Sequence, residues 1–149
     1  MRAVIQRVMR AQVSVGEELV GKIEKGLLVL IGIAKTDTQA DADYLAAKIL
    51  CLRIFDDTSG KMNWSVIDTY GSILAISQFT LYGDVRKGKR PSFDQAAPSQ
   101  AAKEVYEYFV QKIRESGITC ATGRFQAMMQ VELVNDGPVT ILLDSGRTF

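Results

Sequence analysis

Apolar and polar residues alternate at both ends of the chain, and a period of two is typical of β-strands rather than helices. In the first such segment, one strand face is predicted to carry Ala3, Ile5, Arg7, Met9, Ala11 and Val13. In the last segment, the apolar positions are Ala127, Met129, Val131 and Leu133, and then Val139, Ile141 and Leu143 after an interruption at Gly137-Pro138. We therefore expect one strand near the start and two strands flanking Gly137-Pro138 near the end.

The middle of the chain predicts further strands and two helices. Residues 26–34 and 72–81 are continuous apolar runs of the kind found in buried central strands. Helical spacing of apolar residues and capping residues at the ends predict helices within residues 36–52 and 98–117. The pattern favours an α/β fold, in which a single mixed-sheet domain over residues 1–149 has a β-barrel-like sheet and two main helices.

Composition excludes several classes of function. The chain has 149 residues, a net charge of +1 and no histidine. Without histidine, Ser-His-Asp and Cys-His catalysis are impossible and a catalytic zinc site is disfavoured. The two cysteines have neither disulfide nor metal-site spacing. No apolar run is long enough to span a bilayer, and we expect a cytoplasmic protein that has no metal or other cofactor.

Arg7 and the stretch "SQFTL" (residues 77–81) are the first candidate site features. Arg7 falls on an apolar strand face, where it is either a snorkelling or bulge residue or a buried arginine that holds a loop. In "SQFTL", Gln78 and Thr80 share one predicted strand face, which is either exposed to solvent or the wall of a polar pocket. No activating base accompanies Ser77 or Thr80, so donation of hydrogen bonds to a carbonyl or oxyanion is the better reading.

Three other features are ambiguous on sequence alone. Four basic residues lie close together at Arg86, Lys87, Lys89 and Arg90. This basic run is either a solvated loop or a contact to a nucleic-acid backbone. Phe125 and Met129 either line a pocket or belong to the core. The Gly137-Pro138 bond has a strong statistical preference for trans, since only about 5–6% of X–Pro bonds in folded proteins are cis.

Taken together, these motifs resemble the D-aminoacyl-tRNA deacylases, which proofread the chirality of aminoacyl-tRNA. The resemblance covers essentially the whole chain and includes "IQRV" (5–8), "KMN" (61–63), "SQFTL" (77–81), "RPSF" (90–93), "TGRF" (122–125) and "NDGPVT" (135–140). It implies hydrolysis of the ester that joins a D-amino acid, or misacylated glycine, to the terminal adenosine of tRNA. It also implies a homodimer with active sites at the subunit interface, and neither DNA nor a membrane as partner.

The resemblance also implies a role for each matching residue. Ser77, Gln78, Phe79 and Thr80 would receive the adenosine and the scissile ester, beside a pocket formed by Phe125 and Met129. Substrate selection would fall to a cis Gly137-Pro138 dipeptide that enters the partner's site, to the adjacent Asn135 and Thr140, and to Arg7, which would fix the dipeptide. The basic run from Arg86 to Arg90 would contact the tRNA backbone.

This selection has a clear physical basis. Enantiomers have equal hydrophobicity, so only a stiff steric barrier can reject one of them, and rotation about a peptide bond must cross about 18–20 kcal/mol. The substrate's ribose 2′-hydroxyl would assist the attack, in place of a protein base. The alternative from another class is a non-catalytic RNA-binding module, which would need the basic run but neither Gly137-Pro138 nor the pair formed by Gln78 and Thr80.

Overall fold

The computed structural model describes residues 1–149, which form eight β-strands, two α-helices and one 3₁₀ turn. The strands are β1 (Arg2–Val15), β2 (Glu18–Ile23), β3 (Gly26–Gly32), β4 (Phe55–Asp56), β5 (Met62–Trp64), β6 (Ser72–Ser77), β7 (Cys120–Thr122) and β8 (Gln130–Asp144). The helices are α1 (Gln39–Cys51) and α2 (Ser99–Glu115), and the 3₁₀ turn covers Phe79–Tyr82. Neither helix is long and apolar enough to cross a membrane.

The main sheet has six strands and mixed direction. Its strand order is β2-β1-β3-β6-β7, and β8 pairs with the other side of β1. The pairs made by β1 are antiparallel, whereas β3 with β6 and β6 with β7 are parallel. Strands β2 and β7 stand at the two ends of this order, yet a Cβ built on Gly21 of β2 would lie 2.6 Å from the Thr122 carbonyl oxygen of β7. The sheet is therefore nearly closed, and the predicted barrel-like α/β fold is confirmed.

Two apolar clusters hold the sheet. The larger one joins one sheet face to the helices through residues such as Ile5, Val29, Ile49 and Phe109. The smaller one fills the inside of the barrel and includes Val8, Ala11, Val13, Leu28, Leu74 and Ile76. Because successive side chains of a strand point to opposite faces, Leu27 and Val29 of β3 contribute to the first cluster and Leu28 to the second.

The two predicted helices are confirmed, with capping features at the start of α1 and at the end of α2. The Asp41 carboxylate accepts a hydrogen bond from the backbone N–H of Thr38 at 2.8 Å, which satisfies a donor at the start of α1. Gly117 follows α2 with φ of +85°, a conformation that glycine adopts without steric cost.

Three predictions about strands are wrong. Met9 is 49% exposed and Val8 is fully buried, because register shifts around Val8 reverse the alternation of β1. Strand β6 ends at Ser77 rather than continuing to Leu81, because its neighbour β3 ends at Gly32 and offers no further ladder. Gly137-Pro138 does not separate two strands, because β8 pairs with β1 on both sides of the dipeptide.

Candidate active site

A cavity of about 620 Å³ opens where β6 ends, and several predicted site residues line it. Ser77, Gln78 and Phe79 enter from the end of β6, and Phe125 and Met129 enter from the segment before β8. The remaining lining residues are Ile33, Ile76, Ala97, Ser99, Ala102, Gln126, Ala127, Met128 and Val131. The chain thus brings two separate predicted motifs to one place.

The segment Gln78–Tyr82, which we call the site turn, gives the cavity its polar edge. The Gln78 N–H donates to the Ile31 carbonyl at 2.7 Å, which ties the start of the turn to β3. Within the turn, the Leu81 N–H donates to the Gln78 carbonyl at 3.2 Å. The Gln78 side-chain amide donates to Thr80 Oγ1. Since the Thr80 oxygen accepts this bond, its own hydroxyl proton remains available to another acceptor.

Thr80 and Phe79 lie at the surface, in contrast to the strand residues before them. Both side chains are exposed, and Thr80 stands next to the cavity without lining it. The predicted strand face shared by Gln78 and Thr80 does not exist, but the two residues still meet because the 3₁₀ turn folds one over the other. The Phe79 ring packs edge-on against Phe93, with 4.9 Å between ring centroids.

Phe125 and Met129 form an apolar wall. The Phe125 ring lies 5.9 Å from the ring of Tyr106, whose hydroxyl donates to the Ala75 carbonyl at 2.9 Å. Burial raises the pKa of Tyr106 well above its ordinary value, so the phenol stays neutral. A Cβ on Gly123 would lie 2.5 Å from Met129 Sδ, so the absence of a side chain there makes room for the thioether.

No ionisable side chain lines the cavity. Its polar groups are the hydroxyls of Ser77 and Ser99 and the amides of Gln78 and Gln126. No group of three or more Asp, Glu, Cys or His residues in the chain has the arrangement of a metal site. Such a site can position a substrate and donate hydrogen bonds to a carbonyl, but it contains no general base.

Arg7 belongs to a second structural centre, around Gly137-Pro138. Its side chain is buried, with Nε donating to the Asp136 carbonyl at 3.0 Å and Nη1 donating to the Ile54 carbonyl at 2.6 Å. Carboxylate oxygens of Asp136 and Asp56 lie 3.4 and 3.7 Å from the guanidinium. Of the two readings of Arg7, the geometry matches the buried arginine that holds a loop.

The pairing of β1 with β8 shows how this loop arises. Gln6 is opposite Thr140 and Val8 is opposite Asn135, so the single residue Arg7 faces the four residues 136–139. The extra residues bulge from the ladder, and the Gly137-Pro138 bond within them is cis. Gly137 has φ of +133°, a region that residues with a side chain rarely adopt. The Arg7 side chain therefore occupies the space between β1 and the bulged residues of β8.

The two centres do not meet within one chain. Asn135, Gly137, Pro138 and Thr140 are exposed, and none of them lines the cavity. The structure therefore brings together the predicted ester-binding and pocket residues in one place and the predicted selection residues in another.

The basic run forms an exposed loop beyond the site turn. Hydrogen bonds from the Arg86 side chain hold the pKa of the Asp84 carboxyl down to about 2, and an Arg86 nitrogen lies 2.6 Å from a carboxylate oxygen of Asp84. Lys87, Lys89 and Arg90 have no such carboxylate partner. The loop has four cations, of which three are uncompensated.

Sequence reasoning missed two sets of residues. Ser99, Ala102 and Ile33 line the cavity, but in the sequence they are indistinguishable from an ordinary helix start and strand end. Asp56 and Ile54 contact Arg7 from a distant hairpin, and no spacing rule links them to it.

A family model and full-length sequence relatives point to the same family. The family model described as D-Tyr-tRNA(Tyr) deacylase matches residues 4–144. The D-aminoacyl-tRNA deacylases of Koribacter versatilis and Thermosipho melanesiensis are 64% and 59% identical to this chain, and in both alignments each chain is covered completely.

Two solved structures are also similar. One, entitled c-Myc DNA Unwinding Element Binding Protein, is 44% identical, with a TM-score of 0.91 over 97% of this chain and 98% of its own. The other, a probable eukaryotic D-amino acid tRNA deacylase, has a TM-score of 0.83 over 95% of this chain and 97% of its own. At 17% identity, the second shows a shared fold alone.

The Arg7→Met substitution tests the second centre. It leaves the carbonyls of Asp136 and Ile54 without their donor, and we expect it to lower the free energy of unfolding by about 2–4 kcal/mol. Urea denaturation would measure the loss. Arg10→Met, an exposed change on the same strand, should stay within about 0.5 kcal/mol. Equal effects of the two substitutions would contradict a structural role for the buried guanidinium.

Proposed function

The chain belongs to the D-Tyr-tRNA(Tyr) deacylase family, and from this premise we propose that it hydrolyses the ester between a D-amino acid and the terminal adenosine of tRNA. The products are the free amino acid and tRNA. Curated relatives that are more than half identical to this chain over their full length are named D-aminoacyl-tRNA deacylase. This chain is therefore an ester hydrolase. The proposed reaction takes place in the cytoplasm, where aminoacyl-tRNA is used.

One observation carries the proposal for the site. The "SQFTL" residues Ser77, Gln78 and Phe79 and the pocket residues Phe125 and Met129 surround one cavity, with Thr80 at its edge. Aromatic and apolar walls suit a nucleobase, which stacks well on such surfaces. The hydroxyls and amides at the polar end suit an ester and a ribose. The cavity thus offers both kinds of contact that the 3′ end of an aminoacyl-tRNA requires.

The proposed mechanism relies on position and polarisation. With no ionisable side chain in the cavity, a water molecule attacks the ester carbonyl with the assistance of the substrate's ribose 2′-hydroxyl. The bond between the carbonyl carbon and the ribose 3′-oxygen breaks, and that oxygen leaves with a proton that derives from the water. Thr80 directs its free hydroxyl proton toward the developing oxyanion or orients the ribose, and Gln78 holds Thr80 in place. One donor to an oxyanion contributes about 2.7–4 kcal/mol of transition-state stabilisation, which is substantial for an ester that is already reactive.

We assign substrate selection to Gly137-Pro138 of a second copy of the chain. The dipeptide is exposed and absent from its own chain's cavity, as are Asn135 and Thr140, which flank it. Strand β8 pairs with β1 only, so its other edge is free to meet a partner. Exposed apolar side chains on β8, including Leu142 at 55% exposure, also favour a homodimer.

In this arrangement, Arg7 supports the selector, Gly137-Pro138, from within its own chain. The guanidinium fixes the carbonyl of Asp136, the residue before the dipeptide, so that the bulge presents a defined backbone surface. A backbone surface excludes an L side chain by steric contact and is insensitive to which side chain it excludes. Glycine has no side chain to exclude, and the same selector therefore admits glycyl-tRNA as a substrate.

A second candidate function is non-catalytic binding of nucleic acid. The 44%-identical solved structure is named for binding a DNA element, and the loop cations Lys87, Lys89 and Arg90 have no carboxylate partner. Such binding would depend on salt and would require neither the cavity nor Gly137-Pro138.

Hydrolysis of paired enantiomers distinguishes the two functions. Purified protein is mixed with D-tyrosyl-tRNA or L-tyrosyl-tRNA, with EDTA in a parallel reaction, and released amino acid is measured over time. We expect rapid release from the D-substrate alone, with the same rate in EDTA, because the reaction uses only the chain's donors and the substrate's hydroxyl. Retention of both esters on tightly bound tRNA would contradict the enzyme and favour the binding module.

Heterodimers with two affinity tags test whether the selector acts across the interface. In a dimer of Thr80→Val and Pro138→Gly chains, the only intact catalytic turn belongs to the chain with the altered selector. We expect this dimer to remain D-selective, because the Thr80→Val chain supplies an intact Gly137-Pro138.

The matched control carries both substitutions in one chain and none in the other. In this control dimer, the single intact site turn should face the altered selector. Hydrolysis should then lose its selectivity for D-tyrosyl-tRNA over L-tyrosyl-tRNA. The reverse pattern would place the selector within its own chain, and monomers of the wild-type protein would contradict the dimer.

Salt dependence of tRNA binding tests the basic loop. We expect Lys87→Ala, Lys89→Ala and Arg90→Ala each to reduce the slope of log K against log salt by about 0.7–0.9, the effect of one phosphate contact. Arg86→Ala should change the slope less, because Asp84 already neutralises that charge. Fluorescence anisotropy of labelled tRNA at several salt concentrations would measure the slopes. Unchanged slopes in all four variants would exclude this loop from the tRNA interface.

A further inference from the structure

Arg2, at the start of β1, contacts the site turn in two ways. Its Nη1 donates to the Leu81 carbonyl at 3.0 Å, and its guanidinium carbon lies 4.5 Å from the centre of the Tyr82 ring. Apart from the internal bond between Gln78 and Thr80, no other side chain hydrogen-bonds to this turn. The turn is otherwise held by backbone bonds, so Arg2 is its one polar side-chain support.

Gly32 explains how the turn comes within reach of Arg2. The two residues are directly opposite each other in the pairing of β1 with β3. A Cβ on Gly32 would lie 2.9 Å from Leu81 Cβ, 3.1 Å from the Gln78 carbonyl oxygen and 3.3 Å from the Tyr82 ring. The turn therefore rests directly on the backbone of Gly32, with Arg2 beside it.

Asp144, at the end of β8, holds the guanidinium from the other side. Arg2 Nε lies 3.3 Å from an Asp144 carboxylate oxygen. That carboxylate also accepts hydrogen bonds from the Gly146 N–H at 2.6 Å and the Thr148 hydroxyl at 2.8 Å. Burial acts to raise the pKa of Asp144, but the bonds from Thr148, Gly146 and Arg2 outweigh it and keep the pKa below its ordinary value. Asp144 is thus charged at neutral pH.

We propose that Arg2 is a positioning residue for deacylation: with its guanidinium held by Asp144, it fixes the site turn against Gly32 so that Gln78 and Thr80 face the ester. The proposal deepens the function proposed above and rests on it. Arg2 touches neither the cavity nor its proposed contents. Its effect passes through the Leu81 carbonyl and the Tyr82 ring to the residues that precede them in the turn.

The planar guanidinium suits this task better than an ammonium group. It donates along Nη1 and Nε in two fixed directions while its face lies against an aromatic ring. Lysine can reach Asp144 as a point charge but cannot make all three contacts together. A loss of this support permits the turn to shift, and a misplacement of about 1 Å can reduce a catalytic rate by about 10²-fold.

Kinetics of Arg2→Leu and Arg2→Lys on D-tyrosyl-tRNA test the proposal. We expect Arg2→Leu to lower kcat by about tenfold or more while KM stays within about twofold, because substrate binding by the cavity is preserved. The kcat of Arg2→Lys should lie between those of the wild type and Arg2→Leu. In a double-mutant cycle with Tyr82→Leu, the combined loss should be smaller than the product of the separate losses.

Lys112→Leu is the matched control. The Lys112 ammonium lies 5.2 Å from the Tyr108 ring and 3.2 Å from a Glu115 carboxylate oxygen, which are contacts of the same type on α2 that do not involve the site turn. Its kcat should equal that of the wild type. If Arg2→Leu lowers the melting temperature but leaves kcat unchanged, its role is structural only and the proposal is overturned.

Hydrogen exchange supplies a readout that does not require activity. In Arg2→Leu, the amides of Leu81 and Gly83, which bond to the Gln78 and Thr80 carbonyls, should exchange faster, whereas the central amides of β3 should not. Unchanged exchange at both turn amides would overturn the proposal even if activity fell. A wild-type protein that hydrolyses no D-aminoacyl ester would overturn the proposed function itself, and with it any catalytic role of Arg2, whatever the exchange result.

Discussion

The whole structure depends on hydrogen bonding along β1, because this strand joins three others. One edge of β1 pairs with β3 and then with β2, and the other edge pairs with β8 over almost its entire length. The two charged residues that organise the functional centres both belong to this strand. Arg2 supports the site turn and Arg7 supports the Gly137-Pro138 bulge, so one strand sets the positions of both.

The cavity and the bulge differ in the physical work that each can do. The cavity combines apolar walls with neutral donors and has no ionisable group, which suits positioning and polarisation rather than proton transfer by the protein. The bulge offers a backbone surface held by a buried cation and suits exclusion by shape. Keeping the two on separate elements allows a site to be built from two copies of the chain, which is the arrangement that we propose.

Several features of the fold and the site followed from the sequence. Strands at both ends of the chain, the two helices and the buried strand β3 were predicted and are confirmed, because local alternation and capping decide them. The meeting of Gln78 with Thr80 was expected for the wrong reason. A shared strand face was predicted, but β6 ends at Ser77 and a 3₁₀ turn brings the residues together.

The sequence by itself determined which elements form, that histidine chemistry is absent and which motifs resemble a deacylase. Only the tertiary structure decided that Met9 is exposed, that β8 continues through Gly137-Pro138 and that Ile54 and Asp56 enclose Arg7. It alone also placed Arg2 beside Leu81, 79 residues away in the chain. The physical reason is that alternation and capping are local, whereas bulges, strand ends and buried-charge partners depend on where neighbouring strands stop.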